Sequence, residues 1–303
     1  MNQHLIALDL DGTTLNNQAA LTTATIQTLR AAANAGHIVS IITGRPYRIA
    51  RHIYDQIGIK TPMVNFNGAL THIPHEAWDK EYAVELTREL ALDLLDHRQE
   101  LGIKTITVED KFHVWANHPT KDLPEFLPDH LTKDQLLNGH NLTTDPIALT
   151  IEYRSGEEGK IIQAVNEKYG DFVEPRVWGG SYNILELIHR GTHKESGMFY
   201  IAKQFNIARQ NIIAFGDEHN DLEMLDAAGR GVAMKNAIPA IKDVADDVTA
   251  SIMTTTAWPS TSRTTSSSPY RRATSKRFKS TNIIKKRAHS ASINWGIAPV
   301  LYS

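Results

Sequence analysis

Short apolar runs, each broken off by polar residues, punctuate this chain at Leu5–Leu8, Ile38–Ile42 and Ile212–Phe215. Their aliphatic content suits strands buried on both faces of a sheet. Helical patterns separate them. Thr22 to Ala33 places Ile26, Leu29 and Ala33 on one face, with Gly36 just beyond, and Arg48 to Ile57 repeats the pattern with Ile49, Ile53 and Ile57. That periodicity predicts amphipathic helices, the first stopped by its glycine. Alternating strands and helices imply a parallel sheet covered by helices. In such sheets ligands bind beyond the carboxyl ends of the strands. The runs end there in Asp9-Leu10-Asp11, Thr43-Gly44-Arg45 and Gly216-Asp217.

The middle of the chain follows another pattern. One strong helix is expected over Val84–Glu100, with Leu86, Leu90, Leu94 and Leu95, and a second over Glu157–Lys168. Strand-like runs stand at Lys104–Val108, Ala148–Glu152 and Ile184–Ile188, and a polar stretch covers His118 to Asn141. Residues 82–189 therefore read as an α+β unit inserted into a discontinuous domain of residues 1–81 and 190–250. A helix near Glu195–Phe205 leads back to the sheet.

Composition narrows the picture only slightly. The chain is 41% hydrophobic and 22% charged, an ordinary globular mix. It has no cysteine, which excludes disulfides, thiolate metal sites and a cysteine nucleophile. A secretory leader pattern and an apolar run of membrane-span length are both lacking, so a soluble, cytoplasmic protein is expected. The net charge of -2 hides an asymmetry: residues 251–303 hold nine Lys/Arg and no acid, leaving 23 basic and 34 acidic residues before them.

The strand-end clusters carry the chemistry. In an extended segment, residues two apart point to the same side, so Asp9 and Asp11 face one site. Like charges held together raise each other's pKa, a cost that a divalent cation or a shared reaction explains. The plainer reading is a strand followed by an Asp-Gly turn. Thr43, Lys194 and the run Gly216-Asp217-Glu218-His219-Asn220-Asp221 add a hydroxyl, an ammonium and further carboxylates. Such a set suits phosphoryl transfer, which relies on positioning and charge stabilisation. Magnesium binds through a few carboxylates plus water and phosphate oxygens. Each residue also has a plain alternative. Thr43 fits a strand-end turn, Lys194 a solvated surface and Asn220-Asp221 the cap of an Asp221–Ala228 helix. His193 and His219 read as solvent-facing, Asn67-Gly68 as a tight turn, and Trp178-Gly179-Gly180-Ser181 as a packed Trp beside a glycine turn. Arg45 either contacts phosphate or holds the loop by an ion pair.

In order and spacing these motifs resemble the haloacid dehalogenase (HAD) superfamily of phosphatases, Cof-type, with a large class IIB cap. Asp9-Leu10-Asp11-Gly12-Thr13, Ile42-Thr43-Gly44-Arg45, Lys194 within Thr192–Gly197, and Gly216–Asp221 match its four motifs. Asn65–Ala69 and Gly231–Ala237 resemble further segments of the branch. The resemblance covers about residues 1–250. It implies an α/β fold: a three-layer, Rossmann-like parallel sheet with an inserted α+β cap. It also implies Asp9 as nucleophile, Asp11 as proton shuttle, Thr43 as a phosphate hydrogen-bond donor and Lys194 as neutralising ammonium. Mg2+ would be held by Asp9, the Asp11 carbonyl and Asp217, with Asp221 in support. Leu10, Gly44, Arg45, Asn67 and Asn220 would line the phosphate.

The expected activity is magnesium-dependent hydrolysis of small phosphorylated metabolites through an aspartyl phosphate, with no nucleic-acid or membrane partner. Alternatives are a phosphotransferase or mutase, and a non-catalytic binding relative. The last becomes relevant because the tail departs from the family. After Ser251, relatives continue with an Asn/Asp-rich turn, Asp-Gly-Val-Ala and a final helix, whereas here the chain runs Ile-Met-Thr-Thr-Thr-Ala-Trp-Pro. A basic, Ser/Thr-rich composition of this kind suits disorder. One inserted nucleotide near codon 252, for suitable codons, restores the family continuation, so a frameshift is a second expectation for residues 251–303.

Overall fold

The computed structural model describes residues 3–250 except 122–125 and 179–181, so the expected basic tail lies outside the described residues. The first apolar run is strand β1 (Leu5–Leu8), and helix α1 (Thr23–Asn34) leads to β2 (Ile38–Ile41). Thr22 caps α1 by accepting a hydrogen bond from the Thr25 amide, satisfying a donor that the first helical turn leaves open. Helix α2 (Tyr47–Ile57) packs Ala50, Ile53, Tyr54 and Ile57 inward and ends at Gly58 in the left-handed conformation. Strands β3 (Met63–Asn65), β4 (Leu70–His72) and β5 (Tyr82–Ala83) form a small antiparallel sheet.

A second set of elements follows: α3 (Arg88–Asp96), β6 (Ile103–Glu109), β7 (Val114–Ala116), β8 (Ala148–Tyr153), α4 (Glu158–Tyr169), β9 (Val173–Val177) and β10 (Ile184–His189). Its strands pair antiparallel in the order β7-β6-β8-β10-β9. Leu90 and Leu94 of α3 and Ile161 and Val165 of α4 share a core with Ile106, Leu149 and Leu187 of the sheet.

The chain then forms α5 (Lys194–Gln204), β11 (Ile212–Gly216), α6 (Leu222–Ala227), β12 (Arg230–Ala233), α7 (Pro239–Val244) and β13 (Asp247–Val248). The parallel sheet runs β13-β12-β11-β1-β2, with Leu5 in register between Ile38 and Ile212. Every residue of β1 and β2 is buried, as the uninterrupted apolar runs require. The α/β architecture with a central parallel sheet is thus the one expected.

Some elements differ from the expectation. The helix foreseen over Val84–Glu100 is only Arg88–Asp96. The Val84 and Leu86 amides are given instead to the carbonyls of Ala69 and Pro146, and Gly102, at φ 68°, turns the chain into β6. Strands β3, β4, β5, β7, β9, β12 and β13 and helix α7 have no counterpart among the expected elements, each being very short or lacking an unbroken apolar run. Among the described residues no helix is long and apolar enough to cross a membrane.

Candidate active site

Strand β1 stops at Leu8, so Asp9 and Asp11 sit on a turn, and strand alternation does not orient them. The turn is wound around the Leu10 carbonyl, which accepts the amides of Thr13, Thr14 and Leu15 at 3.3, 2.9 and 2.8 Å. The Leu10 side chain is buried in the core. Asp9 is buried, and its carbonyl accepts the Thr14 hydroxyl. Gly12, at φ +70°, is required twice over: the turn needs a left-handed residue, and a Cβ there would stand 2.1 Å from Asp217 Oδ2. The Asp11 carboxylate is 54% exposed and is gripped by Arg45 through Nε at 2.8 Å and Nη2 at 2.6 Å.

Lys194, the first residue of α5, is fully buried beneath this turn. Its ammonium lies 2.6 Å from Asp9 Oδ1 and 2.7 Å from Asp221 Oδ1. The other oxygen of Asp221 accepts the amides of Asp217 and Glu218, which shapes the loop after β11. Asp217 itself is oriented by the Thr13 hydroxyl at 2.8 Å and by the Asn236 amide at 3.0 Å.

The third side of the site follows β2. Thr43 is buried, accepts the Arg45 amide on its hydroxyl, and offers its carbonyl to the Asn67 amide. Gly44 packs against the Asn67 side chain: a Cβ at Gly44 would come within 3.0 Å of Asn67 Oδ1. Asn67 adopts a left-handed backbone at φ 54°, a conformation asparagine tolerates well. Its Oδ1 accepts the Asn220 amide at 3.0 Å, and its Nδ2 donates to Glu186 on β10 at 3.0 Å. His219 is exposed, as expected, whereas His193 is half-buried with its Nδ1 3.2 Å from Arg176 Nη2. Gly179-Gly180-Ser181 lie outside the described residues, and Trp178 stacks edge-on against Phe126, 5.0 Å between centroids.

The structure therefore gathers Asp9, Lys194, Asp217 and Asp221 into one buried cluster, with Thr43, Gly44, Asn67 and Asn220 linked beside it. Asp11 joins through Arg45 at the exposed rim. In this structure Arg45 holds the loop by an ion pair, the second of its two readings. Thr13, Asn236 and Glu186 were assigned no role from sequence. Thr13 stands inside the first motif and Asn236 inside the Gly231–Ala237 segment, so motif position alone pointed to both. Glu186 had no such signal.

The electrostatics of the cluster favour a cation. Asp9, Asp217 and Asp221 each offer an oxygen within 4.8 Å of the others. Three buried carboxylates face one ammonium. Burial pushes the Asp9 carboxyl well above its ordinary value, Asp221 adds to the rise, and Lys194 opposes it. Burial likewise raises Asp217, to about 6, against the hydrogen bond from Thr13. Burial works against the Lys194 charge, but Asp221 and Asp9 outweigh it and hold its pKa above the ordinary lysine value. The surplus of buried negative charge and the all-oxygen donor set fit a hard divalent cation.

Known proteins resemble this chain over most of its length. The chain is 33% identical over 249 residues to 5-amino-6-(5-phospho-D-ribitylamino)uracil phosphatase YitU of Bacillus subtilis (strain 168), covering 82% of this chain and 92% of that one. It is 28% identical over 269 residues to pyridoxal phosphate phosphatase YbhA of Escherichia coli (strain K12), covering 80% and 91%. A solved haloacid dehalogenase-like hydrolase from Bacteroides thetaiotaomicron shares the fold, with a TM-score of 0.70 at 23% identity over 82% of this chain and 94% of that one. The family model for haloacid dehalogenase-like hydrolases matches residues 6–255, and the chain belongs to that family.

Proposed function

We propose that this protein is a magnesium-dependent phosphatase of small phosphorylated metabolites, with Asp9 as its nucleophile. The observation that carries the reading is the buried Lys194 ammonium bridging Asp9 and Asp221 beside Asp217. Lys194 holds one Asp9 oxygen, leaving the other to attack phosphorus. The P–O bond to the leaving alcohol breaks as the Asp9–phosphorus bond forms, splitting one difficult step into two. Asp11, once freed from Arg45 and protonated from solvent at the exposed rim, gives that proton to the departing oxygen. It then takes a proton from the water that hydrolyses the aspartyl phosphate, which returns Asp9 and releases phosphate. Thr43 and the Asn67–Asn220 pair orient the phosphoryl oxygens. Asp9, Asp217 and the Asp11 carbonyl would hold magnesium, which supplies charge neutralisation for the phosphoryl group, with Asp221 in support.

Residues 82–189 would act as a cap that excludes water from the reaction. Supporting contacts join this unit to the site. Arg48 on α2 meets Glu109 on β6 at 2.6 Å and the Phe126 carbonyl, and Arg45 lies 5.6 Å from the Phe126 ring centroid.

The test is phosphate release from p-nitrophenyl phosphate and a panel of phosphorylated metabolites, with and without magnesium. The panel should include the phosphoribitylamino-pyrimidine and pyridoxal phosphate substrates that the relatives' names indicate. Magnesium-dependent release, lost in Asp9→Asn, is expected; full turnover by Asp9→Asn overturns the assignment.

A further inference from the structure

Glu186 is a buried carboxylate that the reaction just described does not use. It sits on β10, in the antiparallel sheet, yet its Oε2 accepts a hydrogen bond from Asn67 Nδ2 across 119 residues of sequence. Asn67 is confined on every side. Its backbone amide is held by the Thr43 carbonyl, its amide group lies against Gly44, and its Oδ1 is taken by Asn220. A side-chain amide rotates about its last bond and can present either its oxygen or its nitrogen. An acceptor at Glu186 removes that ambiguity, because a carboxylate accepts from NH2 and offers nothing to the amide oxygen. The Asn67 oxygen is thereby turned toward the Asn220 amide.

We infer that Glu186 is a positioning residue for the phosphate-facing turn: by fixing the Asn67 amide it aligns the Asn67–Asn220 pair, so docking of the antiparallel unit and assembly of the site are one event. This rests on the reading of Asn67 and Asn220 as phosphate-facing residues. The surroundings agree. Burial raises the Glu186 carboxyl to about 7, opposed by Arg176 on β9, the Asn67 hydrogen bond and Lys194 on α5, and reinforced by Glu109 on β6. A carboxylate kept in such a place without a full ion pair needs a specific partner, and Asn67 supplies it.

The test uses the full chain with Glu186→Leu, Glu186→Gln and Asn67→Ala, followed by the Asn67 side-chain amide resonance at pH 8.5 and by kcat/KM for p-nitrophenyl phosphate with magnesium. Glu186→Leu removes the acceptor and is expected to lower kcat/KM about tenfold. Glu186→Gln keeps an acceptor and should restore most of it. In the double variant Glu186→Leu/Asn67→Ala the loss should be no greater than in Asn67→Ala alone; losses that multiply overturn the inference. Should Glu186→Leu not fold, Glu186→Gln decides. A neutral acceptor in place of a charged one must move the Asn67 amide proton upfield, and an unmoved resonance sinks the proposal. A wild-type chain that hydrolyses nothing would remove the phosphatase reading, while the resonance would still report whether Glu186 holds Asn67.

Discussion

Arg45 holds the carboxylate of Asp11 with both arms of its guanidinium, at 2.8 and 2.6 Å, although one residue is buried and the other is half exposed. The pair places the proposed proton shuttle at the rim of the site rather than in its buried floor. Lysine offers a point charge and cannot reproduce the two-pronged grip. Arg45→Lys should therefore lower kcat about tenfold or more, as expected when a general acid is misplaced. Stability should change by less than about 1 kcal/mol, because Asp11 is largely solvated. Steady-state kinetics beside urea unfolding would separate the two, and an unchanged kcat would show that the grip is irrelevant to proton transfer.

Lys194 makes the opposite kind of contact. Its ammonium is buried between Asp9 and Asp221, out of reach of bulk solvent. Lys194→Met leaves two buried carboxylates without their counter-charge, a change that costs about 3–5 kcal/mol. Turnover should fall about a thousandfold, the scale for loss of a preorganised charge at a reaction centre. Denaturant unfolding and single-turnover hydrolysis are the measurements. A Lys194→Met protein as stable as wild type would contradict the assigned role of the ion pair.

Magnesium should stabilise the fold if the acid cluster is its site. Saturation at about a hundred times the dissociation constant contributes about 2.7 kcal/mol, read as a higher unfolding midpoint. Asp217→Asn should abolish that response. Its metal-free form should unfold at the same midpoint as wild type or higher, because the substitution removes one of the crowded negative charges. A metal-induced shift that persists in Asp217→Asn would move the cation elsewhere. Chelation with EDTA should likewise stop hydrolysis in the wild type.

The floor of the site was legible in the sequence because its residues follow buried strands. Asp9 comes directly after β1, Asp217 after β11 and Thr43 two residues beyond β2, and all three strands announce themselves as unbroken aliphatic runs. Lys194 was legible only through its motif, since nothing in its local pattern distinguishes a buried lysine from a solvated one. Glu186 was not legible at all. It occupies a polar position in a strand whose other residues before His189 are apolar, and its partner lies in the Phe66–Gly68 turn between β3 and β4, 119 residues away. Val84–Asp96 shows the limit of periodicity: Leu86 matches the helical phase of Leu90, but the Leu86 amide belongs to the Pro146 carbonyl, so tertiary pairing overrides the pattern.

His72 gives the fold a sensitivity to acid that lies outside the chemistry of the cluster. It is completely buried on β4, with Nε2 3.0 Å from Asn65 Oδ1, the Tyr47 ring 4.5 Å away, and no partner for Nδ1 among the described residues. The neutral ring donates its Nε2 proton to Asn65, whose own amide donates to the Arg45 carbonyl at 2.9 Å. Burial first, then the charges of Lys111 and His75, lower the His72 pKa from 6.5 to about 3. The sign follows directly. Between these two values the unfolded chain carries a proton on this ring and the folded chain does not. The stability that His72 contributes is therefore complete above about pH 6.5 and is lost as pH drops toward 3, by about 1.4 kcal/mol per unit. At pH 5 the contribution is a loss of about 2 kcal/mol relative to neutral pH. His72→Gln keeps a donor for Asn65 and has nothing to titrate in that range. The difference in unfolding free energy between pH 7 and pH 5 should shrink in the variant by about that amount. Equal pH dependence in the two proteins would mean that the ring accepts a proton in the folded state and that its burial does not oppose the charge.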